Sequence, residues 1–235
     1  MRDIMADKRY SIIPALDVTD LTEIQSIIRD IDTFDIIYGY KIGFSLGLSF
    51  GLPRIVDVIR SISAKPIIYD HQKAATDIPD TGILFANTMK HAGIDEVILF
   101  PQAGPVTLDT WIDALHTARI RVIVGALMTH PRFTVSEGGY IADEAIPSIF
   151  NRAYTSGVRD FVVPLTKSDM VRTVVAQTDL DSRCTYYSPG YGKQGGDPHA
   201  FDFIEVHHLI IGRSLIGASD RRIFIEDTTH HLEGV

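Results

Sequence analysis

The chain has 235 residues, 45% hydrophobic and 22% charged, a composition that supplies a sizeable core and excludes disordered, collagen-like and repeat-array classes. A formal net charge of -8 provides no positive field to recruit nucleic acid or an anionic membrane, so any phosphate must be held locally. The single cysteine, Cys184, cannot form an internal disulfide, and the first ten residues contain no apolar run resembling a signal peptide or membrane anchor, so a soluble cytoplasmic protein is expected.

In chain order, strand-like segments fall at 11–17, 35–43, 65–70, 95–100, 121–128, 160–164, 184–188 and 207–212. Helical patterns lie between them at 20–29, 48–61, 82–91, 106–117, 142–155 and 168–177, with a short turn at 199–204 and a last helix from Arg213 to the tail. Eight strands, nearly all followed by a helix, predict an α/β fold of the (β/α)8 (TIM) barrel type rather than an open doubly wound sheet. No G-x-G-x-x-G follows the first strand, and no linker or repeat divides the chain, so one domain spanning 1–235 is expected. The longest irregular stretch, 188–198, is read as a phosphate-binding loop.

Barrel chemistry is expected where strands end. Asp17 closes the first strand, Lys41 the second and Asp70 the third, followed by His71, Gln72, Lys73 and Asp77. Thr129 and His130 follow the fifth strand, SPGYGKQGGDP follows the seventh, and Gly212-Arg213 follow the eighth. Any one of these is ordinarily a helix cap or a solvated charge; their grouping at strand ends favours function. Gly190, Gly192, Gly195 and Gly196 let backbone N–H groups approach an anion, and Arg213 adds a guanidinium beside the next helix, at the strands where barrels commonly hold phosphate.

Lys41, Asp70, Lys73 and Asp77 would place two ammonium and two carboxylate groups at one barrel mouth. A surface salt-bridge network is the alternative for such residues on a loop. A lysine held between carboxylates keeps its proton, which suits a proton donor rather than a Schiff-base nucleophile. Adjacent histidines on a strand face opposite sides, so His207-His208 and His230-His231 are not expected to form a metal site. Cys184 and Trp111 read as core residues, and His130 as structural.

Six segments, ALD (15–17), KIG (41–43), DHQKAATDIPDT (70–81), MTHP (128–131), SPGYGKQGGDP (188–198) and IIGRS (210–214), occur at successive strand ends. In them the chain resembles the orotidine 5'-monophosphate decarboxylase family in its short archaeal and bacterial form. The resemblance implies a cofactor-free and metal-free decarboxylase converting a nucleoside monophosphate to uridine 5'-monophosphate. It also implies a homodimer with shared sites: Lys41, Asp70 and Lys73 in one subunit, with Asp77, Ile78 and Thr81 reaching into the neighbour's. By the same resemblance Asp17 and Lys41 bind ribose hydroxyls, Thr129 the pyrimidine, and Pro189 lines the base pocket. Gln194, Gly212 and Arg213 lie at the phosphate, and Lys73 protonates C6.

One departure stands out. The family pattern is Asp-x-Lys-x-x-Asp, whereas here two residues separate Asp70 from Lys73 and three separate Lys73 from Asp77. Lys73 must therefore leave the strand through a bulge or turn to rejoin Asp70. Magnesium-dependent sugar-phosphate relatives in the same superfamily resemble one another in carrying an acidic residue where Lys41 stands, so Lys41 argues against them. A phosphate-binding barrel without turnover is the non-enzymatic alternative.

Overall fold

The computed structural model describes residues 9–71 and 74–234. Eight parallel strands carry the fold: β1 (Tyr10–Pro14), β2 (Tyr40–Gly43), β3 (Ile67–Asp70), β4 (Glu96–Leu99), β5 (Arg121–Gly125), β6 (Asp160–Val162), β7 (Thr185–Pro189) and β8 (Val206–Ile211). Each pairs with its sequence neighbour from β2 through β8, and β8 pairs with β1. Between β1 and β2 the seam is closed by isolated bridges, Ile12 to Ile37 and Ala15 to Lys41, and by the Leu16 N–H donating to the Lys41 carbonyl at 2.8 Å. The result is the expected (β/α)8 barrel.

The helices are α1 (Leu21–Ile31), α2 (Phe44–Phe50), α3 (Leu52–Arg60), α4 (Thr81–Ala92), α5 (Pro105–Ala118), α6 (Ala145–Thr155), α7 (Ser168–Ala176), α8 (Arg213–Ile216) and α9 (Arg221–Glu233). Helix α1 shows why they form where they do. The Asp20 side chain accepts from the Thr22 N–H at 2.9 Å, capping the first turn, and Ile24, Ile27, Ile28 and Ile31 recur at helical spacing and are all buried. Full burial of one such isoleucine stabilises by roughly 1.5–3 kcal/mol, and truncating Ile28 to alanine costs about 2–5 kcal/mol.

The single helix expected at 48–61 is two. Gly51 adopts φ +75°, and Pro53 starts the next helix, so α2 and α3 are separate elements. The helix expected from Arg213 to the tail is likewise broken into α8 and α9, the latter restarted by Asp220, whose side chain accepts from the N–H groups of Arg222 and Ile223. Cys184 and Trp111 are buried, as expected of core residues. His130 is exposed, with its ring T-shaped against Phe133 and the ring centroids 5.7 Å apart.

Strand alternation sorts side chains into an outer shell facing the helices and an inner stack. The stack's middle is apolar, with Ile13, Ile68, Ile98, Ile123, Val162 and Ile210 packed together. Its lower layer, at the strand starts, is polar. Arg121 donates from Nε to Asp160 Oδ2 at 2.8 Å and from Nη1 to the Tyr38 hydroxyl at 2.7 Å, while Tyr38 donates to Glu96 and Ser11 pairs with His208. His208 points inward and stacks on Tyr38, whereas His207 points outward to the Ser188 hydroxyl, confirming that the pair straddles the strand. Burial pushes both imidazoles down to about 3 and the Glu96 carboxyl up to about 7. This apolar and ionic plug seals the barrel below its open end.

Candidate active site

The upper ends of the strands surround a cavity of about 210 Å³. Asp17, Lys41, Asp70, Thr129, Pro189, Gln194, Gly212 and Arg213 all line it, so eight of the twelve sequence-selected residues are brought to one pocket. Strand pairing accounts for the polar half. Lys41 sits on β2 opposite Ile68, two residues before Asp70 at the end of β3, and both side chains turn inward because the period of a strand is two. Lys41 Nζ lies 2.9 Å from Asp70 Oδ2, with only 11% and 4% of the two side chains exposed. The Leu16–Lys41 backbone bond brings the end of β1 alongside, and Asp17 Oδ1 and Oδ2 lie 3.4 and 3.5 Å from where side chains on Gly43 and Gly212 would begin.

Burial alone would lower the Lys41 ammonium's pKa, but the Asp70 and Asp17 carboxylates outweigh it and the net shift is upward. Lys41 is therefore a fixed positive charge in a water-poor site, able to orient Asp70 and to donate hydrogen bonds but poorly suited to lose a proton.

The opposite wall is built from the loop after β7. Its backbone folds on itself, with the Gly196 N–H donating to the Gly190 carbonyl at 3.0 Å and Gly195 to Gly192 at 2.8 Å. Gly192 adopts φ +74°, and a Cβ there would lie 2.4 Å from Ser214 Oγ, so this position demands glycine twice over. Gln194 folds its amide over Gly190, its Oε1 3.6 Å from where a Cβ would stand. Between the walls, Phe100, Leu127 and Met128 supply an apolar surface that a planar ring could cover. Lys193, Tyr191 and Ser214 also line the cavity and were not selected from sequence, although a lysine within GYGKQGG is a readable signal.

Asp77, Ile78 and Thr81 do not reach this pocket within their own chain. Asp77 and Ile78 are exposed, and Asp77 faces a separate, mostly apolar cavity of about 660 Å³ beside Leu48, Phe85 and Trp111. Their backbone is held by α5, where the Thr107 hydroxyl donates to the Asp77 carbonyl at 3.0 Å and Trp111 Nε1 to the Ile78 carbonyl at 3.3 Å. Thr81 caps this segment, donating from Oγ1 to the Ile78 carbonyl at 2.7 Å. Lys73 lies outside the described residues. At the next residue, the Phe100 N–H donates to the Ala74 carbonyl at 3.0 Å.

A closed eightfold β/α barrel with its polar pocket at the carboxyl ends of the strands defines a barrel enzyme. Residues 10–226 match the model of the orotidine 5'-phosphate decarboxylase / HUMPS family, and the chain belongs to that family. Among curated relatives, the orotidine 5'-phosphate decarboxylases of Methanosarcina mazei and Methanosarcina barkeri are each 30% identical to it. The first covers 90% of this chain and 90% of its own length, the second 92% and 91%. The decarboxylase structure from Methanocaldococcus jannaschii, complexed with the inhibitor BMP, superposes with a TM-score of 0.79 at 23% identity, covering 96% of this chain and 98% of its own, which shows the shared barrel.

Proposed function

We propose that this protein decarboxylates orotidine 5'-monophosphate to uridine 5'-monophosphate in pyrimidine biosynthesis, without metal or organic cofactor. The observation that carries this reading within the family is the buried Lys41–Asp70 pair facing the glycine-rich loop and Arg213 across one cavity. The family also includes sugar-phosphate enzymes, and the pair discriminates between the two chemistries. An ammonium 2.9 Å from Asp70 occupies the neighbourhood that a divalent cation bound to that carboxylate would need, and its charge repels one.

In this reading Arg213 and Gln194 hold the phosphate, Thr129 and Pro189 meet the base, and Asp17 with Lys41 engages the ribose hydroxyls. The C6–carboxylate bond breaks, CO2 leaves, and the electron pair stays on C6 in an orbital the ring does not delocalise. Asp70, held beside the substrate carboxylate, disfavours the ground state, while the Lys73 ammonium stabilises the developing carbanion and then gives C6 its proton. Binding energy from the remote phosphate draws the loop after β7 over the substrate and excludes water.

The same reading makes the protein a cytoplasmic homodimer in which Asp77, Ile78 and Thr81 complete the partner's pocket. Support comes from the outer face: Ile78, Ile83, Leu84 and Val106 are large apolar side chains left exposed on the segment before α4, on α4 and at the start of α5. No helix among the described residues is long and apolar enough to cross a membrane. The deciding assay is incubation with orotidine 5'-monophosphate and excess chelator, following CO2 release. Turnover is expected to persist; activity restored only by magnesium assigns the protein to the sugar-phosphate branch instead.

A further inference from the structure

Arg213 and Gln194 leave the phosphate site one positive charge short. A phosphate monoester carries about -1.5 to -2 at neutral pH, Gln194 is uncharged, and a single guanidinium compensates only part of that charge. Lys193 is the residue placed to supply the rest. It lines the same cavity as Arg213 and Gln194. Its backbone N–H donates to Ser214 Oγ at 3.2 Å, tying residue 193 to the turn that carries Arg213. The close fit of Gly192 against the same hydroxyl fixes this register, and Lys193 Nζ lies 3.9 Å from where a Cβ on Gly217 would stand, at the end of that turn.

The charge is also free. Among the described residues no carboxylate comes within 4.0 Å of Lys193 or of Arg213. Among the described residues, Lys41 is engaged by Asp70 and Lys167 by Glu137 at 2.6 Å. Two uncompensated cations lining one cavity, one within the glycine-rich loop and one at the start of α8, fit a dianion better than a monoanion.

We infer that Lys193 is a second cationic phosphate ligand, acting with Arg213 to select a phosphate monoester dianion. This rests on the functional reading above. In a test, kcat/KM is measured for orotidine 5'-monophosphate and for orotidine, which lacks the phosphate, with the wild type, Lys193→Met and Lys193→Arg. The residue is exposed, so folding is preserved and a thermal melt verifies it. Loss of one charge-assisted contact is expected to lower kcat/KM for the nucleotide about tenfold to a hundredfold more than for orotidine, with Lys193→Arg recovering most of the loss. An equal loss on both substrates, or no loss on the nucleotide, overturns the assignment. If the wild type does not turn over the nucleotide, the functional reading fails. Calorimetric titration with inorganic phosphate then decides Lys193 separately: weaker binding by Lys193→Met supports it, and unchanged binding overturns it.

Discussion

Lys41 Nζ and Asp70 Oδ2 stand 2.9 Å apart on adjacent strands, in a pocket where neither side chain is more than 11% exposed. Such a pair is costly to break and cheap to neutralise as a whole, because removing one partner leaves a buried charge with less compensation. Lys41→Met is expected to abolish turnover and to cost about 3–5 kcal/mol of stability. In Lys41→Met/Asp70→Asn the uncharged amide no longer needs a cation, so the double variant should regain much of that stability while remaining inactive. Urea midpoints for the four proteins of the cycle check this. Additive losses would mean that the two residues are not coupled.

Arg213 is exposed at the pocket rim and has no carboxylate partner among the described residues, so its truncation should disturb binding far more than folding. Arg213→Ala is expected to raise KM and to lower kcat/KM for the nucleotide, by about 1.5–3 kcal/mol beyond any loss on orotidine. Equal losses on the two substrates would remove Arg213 from the phosphate site.

The acid side of the stability curve is set by the buried histidines on either face of β8 together with Glu96 in the plug. His207 and His208 titrate near 3 in the folded chain against 6.5 as free side chains, so between those values the unfolded chain binds protons that the folded chain excludes. Stability therefore rises with pH through that window, by about 1.4 kcal/mol per pH unit for each imidazole. Glu96 has the opposite sign: its folded value near 7 against 4.5 means the folded chain holds the extra proton, and stability falls as pH rises between them. From pH 4.5 to 6.5 the net slope is that of one imidazole. His208→Asn, which keeps an acceptor at the position facing Ser11, leaves His207 and Glu96 to cancel, so its denaturation midpoint should be nearly flat across that range. A slope as steep as the wild type's would show that His208 does not carry it.

The pocket was legible in the sequence because strand ends are legible. Asp70 closes a short apolar run and Lys41 interrupts one near its end, and the period of two then turns both inward. The polar plug was not, since Glu96, Arg121 and Asp160 open their strands and read as ordinary loop charges until the barrel closes and brings them together. The break at Gly51 was hidden for a related reason. Leu48, Phe50 and Leu52 carry apolar residues straight through it into Ile55, Val56 and Ile59, and the positive φ of Gly51 is what separates the two helices. Lys193 stands among glycines whose backbone role is the stronger signal in the sequence, and only the closed pocket shows its side chain beside Arg213 and Gln194.

The last expectation concerns Asp77, which faces away from its own chain's pocket. If it completes the partner's site, Asp77→Asn and Lys73→Ala should each be nearly inactive as homodimers, because every site in either lacks one charged group. In a mixed dimer, one site collects both lesions and the other neither. Random reassortment of equal amounts gives about half mixed dimers, each with one intact site of two, as follows from a two-fold interface in which the same patch serves both subunits. Activity near a quarter of wild type is therefore expected once subunit exchange is complete, and a pair of affinity tags on the two variants verifies the exchange. No recovery after verified exchange would place Asp77 in its own subunit's chemistry. The longer spacing between Asp70 and Asp77 would then reflect a rearranged loop rather than a family array carried on two extra residues.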